Sequence, residues 1–251
     1  MKNNKLKNNI ILLVIVVFVG IFGYHAYTAI ALPYGPEAIN RGSSGRADLN
    51  YSLKNTTALA GNVTNLDIVA NIITKSWQGY YGEITGKIVL SDGNNNRFYD
   101  WNLTTPAGEV YASPNQSISW PDIKCFNYTA NGSLEINLSI VESWFGISST
   151  DSDSFANTFN QTTNKQFTTG SVTIEANTCP TTYMFENSSY QSSNFENVLL
   201  TDKSSLVFTS IISNDKIGFD NLTHDFQLLV AENGHTDTTT TTTYFFWIEL
   251  T

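Results

Sequence analysis

The chain has 251 residues and a formal net charge of −9, with 41% hydrophobic and 13% aromatic residues. That hydrophobic content excludes a disordered chain, and the length suits one large all-β domain or two small ones. Only 14% of the residues are charged, well below the roughly 25% of ordinary soluble domains, so Asn, Ser and Thr supply the polar surface. The acidic excess repels phosphate backbones and argues against nucleic acid as a partner.

The first 32 residues predict export. Three lysines precede the apolar run IILLVIVVFVGIF at Ile10–Phe22, which predicts an N-terminal hydrophobic helix. This order is typical of a secretory signal peptide, with Ala29–Ala31 as a small-x-small cleavage site. The alternative is a retained single-pass anchor through residues 10–32, with its N-terminus in the cytoplasm. Either alternative puts residues 33–251, which we expect to form a single domain, outside the cell or on its surface.

A turn-rich stretch at Pro33–Gly45 leads into a series of short β-type segments. Apolar residues alternate most clearly where Leu66, Ile68 and Ala70 share one face of an extended chain. The predicted strands are Val63–Ile73, Gln78–Leu90, Arg97–Leu103, Ser171–Asn177, Thr182–Glu186, Asn197–Leu200, Leu206–Ile212, Asp225–Val230 and Tyr244–Leu250. Their spacing predicts an all-β fold, either a β-sandwich or a jelly roll. The one stretch whose pattern also fits a helix is Leu134–Phe145.

Between the second and third strands, the sequence SDGNNN fits either a hairpin turn or a calcium loop. Gly and Asn tolerate positive φ, so Asp-Gly followed by Asn between β-type runs predicts a hairpin. A calcium loop of the EF-hand type needs a glycine at its sixth position and a glutamate at its twelfth, where this chain has Arg97 and Leu103. We therefore expect the hairpin. The alternative is an irregular calcium site with the candidate ligands Asp92, Asn94, Asn96 and Asp100.

Six aromatic residues surround this predicted hairpin, and flat rings can stack on sugars. They are Trp77, Tyr80, Tyr81, Phe98, Tyr99 and Trp101. They could instead form the core and its rim, because aromatic pairs across strands stabilise sheets. Alternation cannot bury all six on one side, so the candidates for glycan stacking are Trp77, Tyr80, Tyr81 and Trp101.

The polar stretch 148–170 is expected to be a long loop, and the two cysteines of the chain lie on either side of it. In an exported domain, two thiols are most simply one disulfide, Cys125–Cys179. Neither a CxxC motif nor a nearby histidine pair supports a redox or zinc role. The threonine run Thr238–Thr243 fits either an arm leading into the last strand or an O-glycosylated spacer.

Sequons for asparagine glycosylation are frequent. An Asn- and Thr-rich composition produces some of them by chance, but so many in an exported chain predict that several carry glycans. The candidates are Asn50, Asn55, Asn62, Asn102, Asn115, Asn127, Asn131, Asn137, Asn160, Asn187 and Asn221.

The sequences AGNVTNLDI and WQGYYGEITGKIVLSDGNNNRFYDW resemble a motif set of uncharacterised exported proteins of archaea. Further matching pieces are WPDIKC at Trp120–Cys125, IEANTC at Ile174–Cys179, and VAENGHT before the final aromatic strand. The resemblance covers most of the chain after about Gly35. It implies an archaeal envelope protein with a β-sandwich fold and paired cysteines as a recurring element. It supplies no catalytic residue.

Motifs for catalysis are missing from the sequence. Beyond the export segment the histidines are His224 and His235, and no GxSxG, HExxH, glycine-rich phosphate loop or cysteine–histidine ligand pattern accompanies them. We expect neither catalysis nor a cofactor, with an exported hydrolase as a lesser alternative.

The leading hypothesis is a structural or adhesive surface glycoprotein that contacts envelope proteins, glycans or other copies of itself. In one version it forms filaments, and the arm Leu32–Thr57 completes the sheet of a neighbour by strand addition. The second hypothesis is a carbohydrate-binding module.

Overall fold

The computed structural model describes residues 32–47, 52–190, 194–233 and 241–251, which belong to one compact unit. Strands predominate and helices are few, so the predicted all-β class is confirmed. The predicted N-terminal helix and Asn50 lie outside the described residues, as do His235 and the first three residues of the threonine run. Within the described ranges, none of the helices is long and apolar enough to cross a bilayer.

The bounds of the elements follow in chain order. The strands are β1 Trp77–Gly82, β2 Gly86–Ser91, β3 Arg97–Leu103, β4 Gly108–Ser113, β5 Lys124–Cys125, β6 Phe167–Thr169, β7 Val172–Ile174, β8 Thr181–Tyr183, β9 Phe185–Glu186, β10 Ser189–Tyr190, β11 Glu196–Thr201, β12 Leu206–Ile211, β13 Lys216–Ile217, β14 Thr223–His224, β15 Phe226–Ala231 and β16 Phe245–Leu250. The helices are α1 Leu138–Phe145 and α2 Phe155–Thr158, and a 3-10 turn spans Trp120–Asp122.

Six strands form the central antiparallel sheet, in the order β16-β4-β12-β11-β5 with β8 also paired to β11. Alternation divides its side chains between two cores: Leu199 and Phe208 belong to one, Leu200 and Val207 to the other. The antiparallel pair β1–β15 and the two helices contribute to the first core, and the 3-10 turn and the β6–β7 hairpin contribute to the second. Because both faces are covered, β11 is buried along its whole length.

The predicted helix is shorter than its sequence pattern, because its first turn needs a cap. Asn137 provides the cap, since its side chain accepts a hydrogen bond from the Ile140 N–H at 3.1 Å. Gly146 ends the helix in the left-handed conformation with φ 64°, which glycine adopts without strain. Residues 134–137 therefore precede α1 rather than belonging to it.

The polar stretch 148–170 differs from the expected loop. It contains α2 and β6, and its three phenylalanines, Phe155, Phe159 and Phe167, are buried in the two cores. Their separations of four and eight residues fit a helix and a strand period alike, and the residues between them are almost all polar, so a periodicity argument could not assign them.

The predicted strand Val63–Ile73 is wrong, since residues 52–76 join no ladder in the structure. The predicted strand Gln78–Leu90 is divided into β1 and β2 by residues 83–85. The predicted strand Arg97–Leu103 is present with these bounds, Asn197–Leu200 is one residue longer at each end, and Thr182–Glu186 is divided between β8 and β9. The remaining predicted strands are present in shortened or slightly shifted form. The central strand β4 was missed because GEVYAS is short and carries no run of β-branched residues.

Asn197 joins the central sheet to the β1–β15 pair. Its side-chain amide donates to the carbonyl of Gln227 at 2.6 Å and accepts from the N–H of Leu229 at 2.7 Å. The Gln227 carbonyl and the Leu229 N–H point away from β1, because in an antiparallel pair alternate residues make the hydrogen bonds between the strands. The buried amide of Asn197 thus takes the place of a neighbouring strand along the second edge of β15.

Replacing Asn197 with alanine is expected to lower the free energy of unfolding by about 2 kcal/mol, because the part-buried Leu229 N–H loses its acceptor. Urea unfolding followed by tryptophan fluorescence measures the change. Asn94→Ala, at an exposed turn position, is the control and should stay within about 0.5 kcal/mol of the wild type. Equal stabilities of the two variants would contradict the role given to Asn197.

Candidate functional site

The hairpin β2–β3 carries four of its apolar side chains on one face, while Val89 lies on the other, opposite Asp100. Ile88 pairs with Trp101 and Leu90 with Tyr99, so these four side chains lie together. Each of them is between 49% and 59% exposed. We call this surface, Ile88, Leu90, Tyr99 and Trp101, the apolar hairpin face.

The opposite face of the hairpin is charged. Lys87 lies 2.9 Å from a carboxylate oxygen of Asp100, and the Arg97 guanidinium lies 3.6 Å from the same oxygen. Arg97 also lies 3.7 Å from Glu37 in the N-terminal stretch. The hairpin is therefore amphipathic across its two faces, with all its ion pairs on the polar one.

The loop at the tip of the hairpin is a turn held by Asp92. Its carboxylate accepts hydrogen bonds from the backbone N–H groups of Asn94 and Asn96 at 2.9 and 2.8 Å, and from the Asn96 side chain at 2.8 Å. These bonds lower the pKa of Asp92, because they favour its ionised form. Asn95 takes the left-handed conformation with φ 64°. Of the calcium candidates, Asp92, Asn94 and Asn96 meet in this turn, while Asp100 is paired with Lys87.

Two of the four glycan-stacking candidates pack against the first core. The Trp77 ring lies 5.0 Å from the Phe155 ring, and its indole N–H donates to the carbonyl of Asp153 at 2.7 Å. The Tyr80 ring meets the Phe246 ring edge-on at 5.3 Å. Both residues are half-buried and serve the packing of β1.

The other two candidates are exposed but lie in different places. Trp101 meets Tyr99 at 4.9 Å with an angle of 64° between the rings, so the pair does not form a flat platform. Tyr81 lies 4.9 Å from the Phe219 ring and 4.8 Å from the His224 ring. We call Tyr81, Phe219 and His224 the aromatic trio.

Carboxylates border the aromatic trio. Oxygen atoms of Glu83, Asp215 and Asp225 lie within 4.8 Å of one another, a donor set that suits a hard cation such as Ca²⁺. Asp225 is buried, and its two oxygens already accept N–H bonds from Ile84 at 2.7 Å and Asp215 at 2.9 Å. Burial and the charge of Asp225 raise the pKa of Glu83.

His224 is held between two acids. Its Nε2 lies 2.9 Å from Asp220 and its Nδ1 lies 3.6 Å from Glu83. A serine nucleophile activated by His224 would need to lie at one of these nitrogens, and both face carboxylates instead. The sequence singled out His224 and Tyr81 but not Phe219, Asp215 or Asp220, because the register between distant strands brings these residues together.

A second acidic pair is buried inside the molecule. Glu109 and Glu249 are opposite each other on β4 and β16, on the face of the second core. Glu249 accepts the N–H of Gly170, with oxygens at 2.9 and 3.1 Å, whereas Glu109 Oε2 has no hydrogen-bond partner among the described residues. Burial and the charge of Glu249 raise the pKa of Glu109 to about 8. This arrangement holds a proton on Glu109 at neutral pH.

The disulfide Cys125–Cys179 predicted from the sequence is present, with the two Cα atoms 4.8 Å apart. It ties β5 to the segment before β8.

Most of the sequon asparagines are exposed. Of the candidates in the described ranges, nine are exposed and Asn137, the cap of α1, is half-buried. The fully buried asparagines, Asn164 and Asn197, lie outside sequons. The glycosylation candidates are therefore on the outside of the domain, where a transferred glycan would meet solvent.

Comparison with known proteins gave no match to a family model, to a curated protein or to a solved structure. The two candidate surfaces, the apolar hairpin face and the aromatic trio with its carboxylates, are therefore interpreted from their own residues.

Proposed function

We propose that the chain is an exported structural or adhesive protein of the archaeal cell envelope, and that its β-sandwich body acts through contacts with envelope proteins and with other copies of itself. The observation that carries this proposal is the apolar hairpin face. Apolar patches of this kind on soluble proteins mark interaction sites, whereas single exposed apolar residues do not. The disulfide supports an oxidising compartment, and the exposed sequons support a glycosylated surface.

Covering the apolar hairpin face is also energetically favourable. A two-stranded hairpin with one uncovered face is marginally stable by itself in water. Burying a side chain such as Leu90 or Ile88 yields about 1–2 kcal/mol, because roughly half of its surface is still exposed. A partner on this face would therefore stabilise the hairpin as well as the complex.

Sedimentation velocity and negative-stain imaging of the purified mature protein test this proposal. We expect the average mass to rise with protein concentration, and oligomers or filaments to be visible at the highest concentrations. Monomers at every concentration, with and without calcium, would count against self-contact as the function.

The second candidate function is carbohydrate binding, now at the aromatic trio. Tyr81 and Phe219 offer exposed rings for stacking, and Glu83 and Asp215 are exposed acceptors for sugar hydroxyls. Trp77 and Tyr80 are less suited, because both are engaged with the first core.

If sugars bind at the trio, Tyr81→Ala should weaken binding on a glycan array by about tenfold, the equivalent of one lost stacking contact. Trp101→Ala is the matched control, since its ring is equally exposed but lies on the hairpin. Unchanged binding by the Tyr81→Ala variant would show that sugars do not bind at the aromatic trio.

A further inference from the structure

One segment with a strand pattern has no sheet to join. In Asn62–Ile73, which we call the donor segment, the apolar residues Leu66, Ile68 and Ile72 are between 56% and 94% exposed. On an extended strand, Asp67 would share one face with Val63, Val69 and Ile73. The other face would be uninterruptedly apolar from Leu66 through Ile68 and Ala70 to Ile72. A face of this composition is normally buried, because each such side chain gains free energy on leaving water.

The hairpin β2–β3 has a free strand edge that a further strand could occupy. In the part of the chain that the structure describes, the backbone of β2 pairs with β3 alone, so its outer edge offers free N–H and C=O groups. Three strands with a common apolar face are the smallest sheet with independent stability, and the hairpin supplies two of them.

The charges of the two elements also match. Asp67 is the single charged residue between Lys54 and Lys75. If the apolar side chains of the donor segment align with the apolar hairpin face, Asp67 falls on the face that carries Lys87. Lys87 and Arg97 share the carboxylate of Asp100, and Arg97 has Glu37 as a second acidic neighbour, so the edge of β2, beside Lys87, is the better acceptor for Asp67.

We propose that the donor segment of one copy adds to the free edge of β2 in a second copy and completes a three-stranded sheet. This inference rests on the proposed self-contact function and names its partner and its two surfaces. Donor and acceptor are different surfaces of the same chain, so the contact is head-to-tail and can repeat into a filament.

The chain has enough length for this exchange. Its body anchors are Tyr34, which exchanges backbone hydrogen bonds with Ile248 at 3.1 and 2.9 Å, and Ser76, whose carbonyl accepts the Glu232 N–H at 2.8 Å. The stretch between them has about 40 residues, which could extend up to about 65 Å outward and return. Since Tyr34 is bound to its own sheet, the start of the predicted arm Leu32–Thr57 is already engaged, and the donor lies further along the chain.

Substitutions on matched positions test the exchange by sedimentation equilibrium. Ile68→Asn and Leu90→Ser change the faces that would meet, and each should raise the dissociation constant by about tenfold or more. Val69→Asn and Val89→Ser alter the neighbouring positions, whose side chains point to the opposite faces, and should change it less than about threefold. Circular dichroism of each variant verifies that the body remains folded.

Chemical cross-linking then identifies which copies exchange strands. Ile68→Cys protein grown with heavy isotopes is mixed with unlabelled Leu90→Cys protein and treated with a short thiol cross-linker. Cross-links between heavy and light chains, together with the weakened association above, support the proposal. When both substitutions are placed in one chain, cross-links that form only within that chain overturn it, since the donor then pairs in its own copy. Association that persists unchanged in Ile68→Asn and Leu90→Ser overturns the exchange while leaving self-contact intact, and a wild type that never associates overturns both.

Discussion

Replacing both Cys125 and Cys179 with serine is expected to lower the free energy of unfolding by about 4 kcal/mol. The disulfide closes a loop with a sequence separation of 54 residues, and such a long loop has much conformational freedom to lose in the unfolded chain. Cys179 is fully buried in the second core, and β5, which carries Cys125, pairs with β11 through only two residues. Loss of the bond therefore releases the end of the sheet at β5.

Guanidinium unfolding of the wild type and the double variant, each with and without reductant, measures this effect. The reduced wild type should match the double variant, and the double variant should not respond to reductant. A loss below about 1 kcal/mol, or a response of the double variant to reductant, would contradict a stabilising role for this bond.

Glu109→Gln is expected to make the protein more stable than the wild type at alkaline pH. Burial and the charge of Glu249 raise the pKa of Glu109 to about 8, while the same carboxyl in the unfolded chain has an ordinary value near 4.5. Between these two values the folded state holds a proton that the unfolded state has lost. The stability from this group is therefore complete below about pH 4.5 and is lost as the pH rises through about 8.

The expected size of this loss is about 4 kcal/mol between pH 5 and pH 9, since one pKa unit corresponds to roughly 1.4 kcal/mol. Glutamine cannot ionise, so the variant should match the wild type closely near pH 5 and exceed it near pH 9. Urea unfolding across this range gives the comparison, and Glu175→Gln, at an exposed position, should follow the wild type. If the free energy of unfolding of the wild type does not change between these pH values, the pKa of Glu109 is not raised by burial beside Glu249.

The sequence predicted the strands with a clear pattern of apolar residues, and it predicted the disulfide. The strands β11, β12, β15 and β16 carry enough apolar residues to be found from their pattern alone. The disulfide followed from the number of cysteines and the predicted export of the chain. By contrast, β4 holds the centre of the sheet with a short segment, and its assignment depends on the strands on either side of it.

The candidate surfaces were predictable only in part. The apolar hairpin face follows from the turn at Asp92 and from alternation along the chain, both of which are local. The aromatic trio joins Tyr81 to Phe219, which lies far away in sequence, so no local pattern could identify it. The donor segment fits a strand by sequence, but a strand also needs a paired neighbour, and among the described residues the donor segment pairs with none.

The claim on which the whole account depends is that the body of the protein is exported, oxidised and glycosylated. Intact mass spectrometry with thiol labelling, applied to protein purified from the cell envelope of its native host, tests it most directly. We predict a mass above that of the polypeptide, with glycans on exposed sequons such as Asn127 and Asn221, and no thiol that reacts before reduction. An unmodified chain recovered from the cytosol with two reactive thiols would contradict the account.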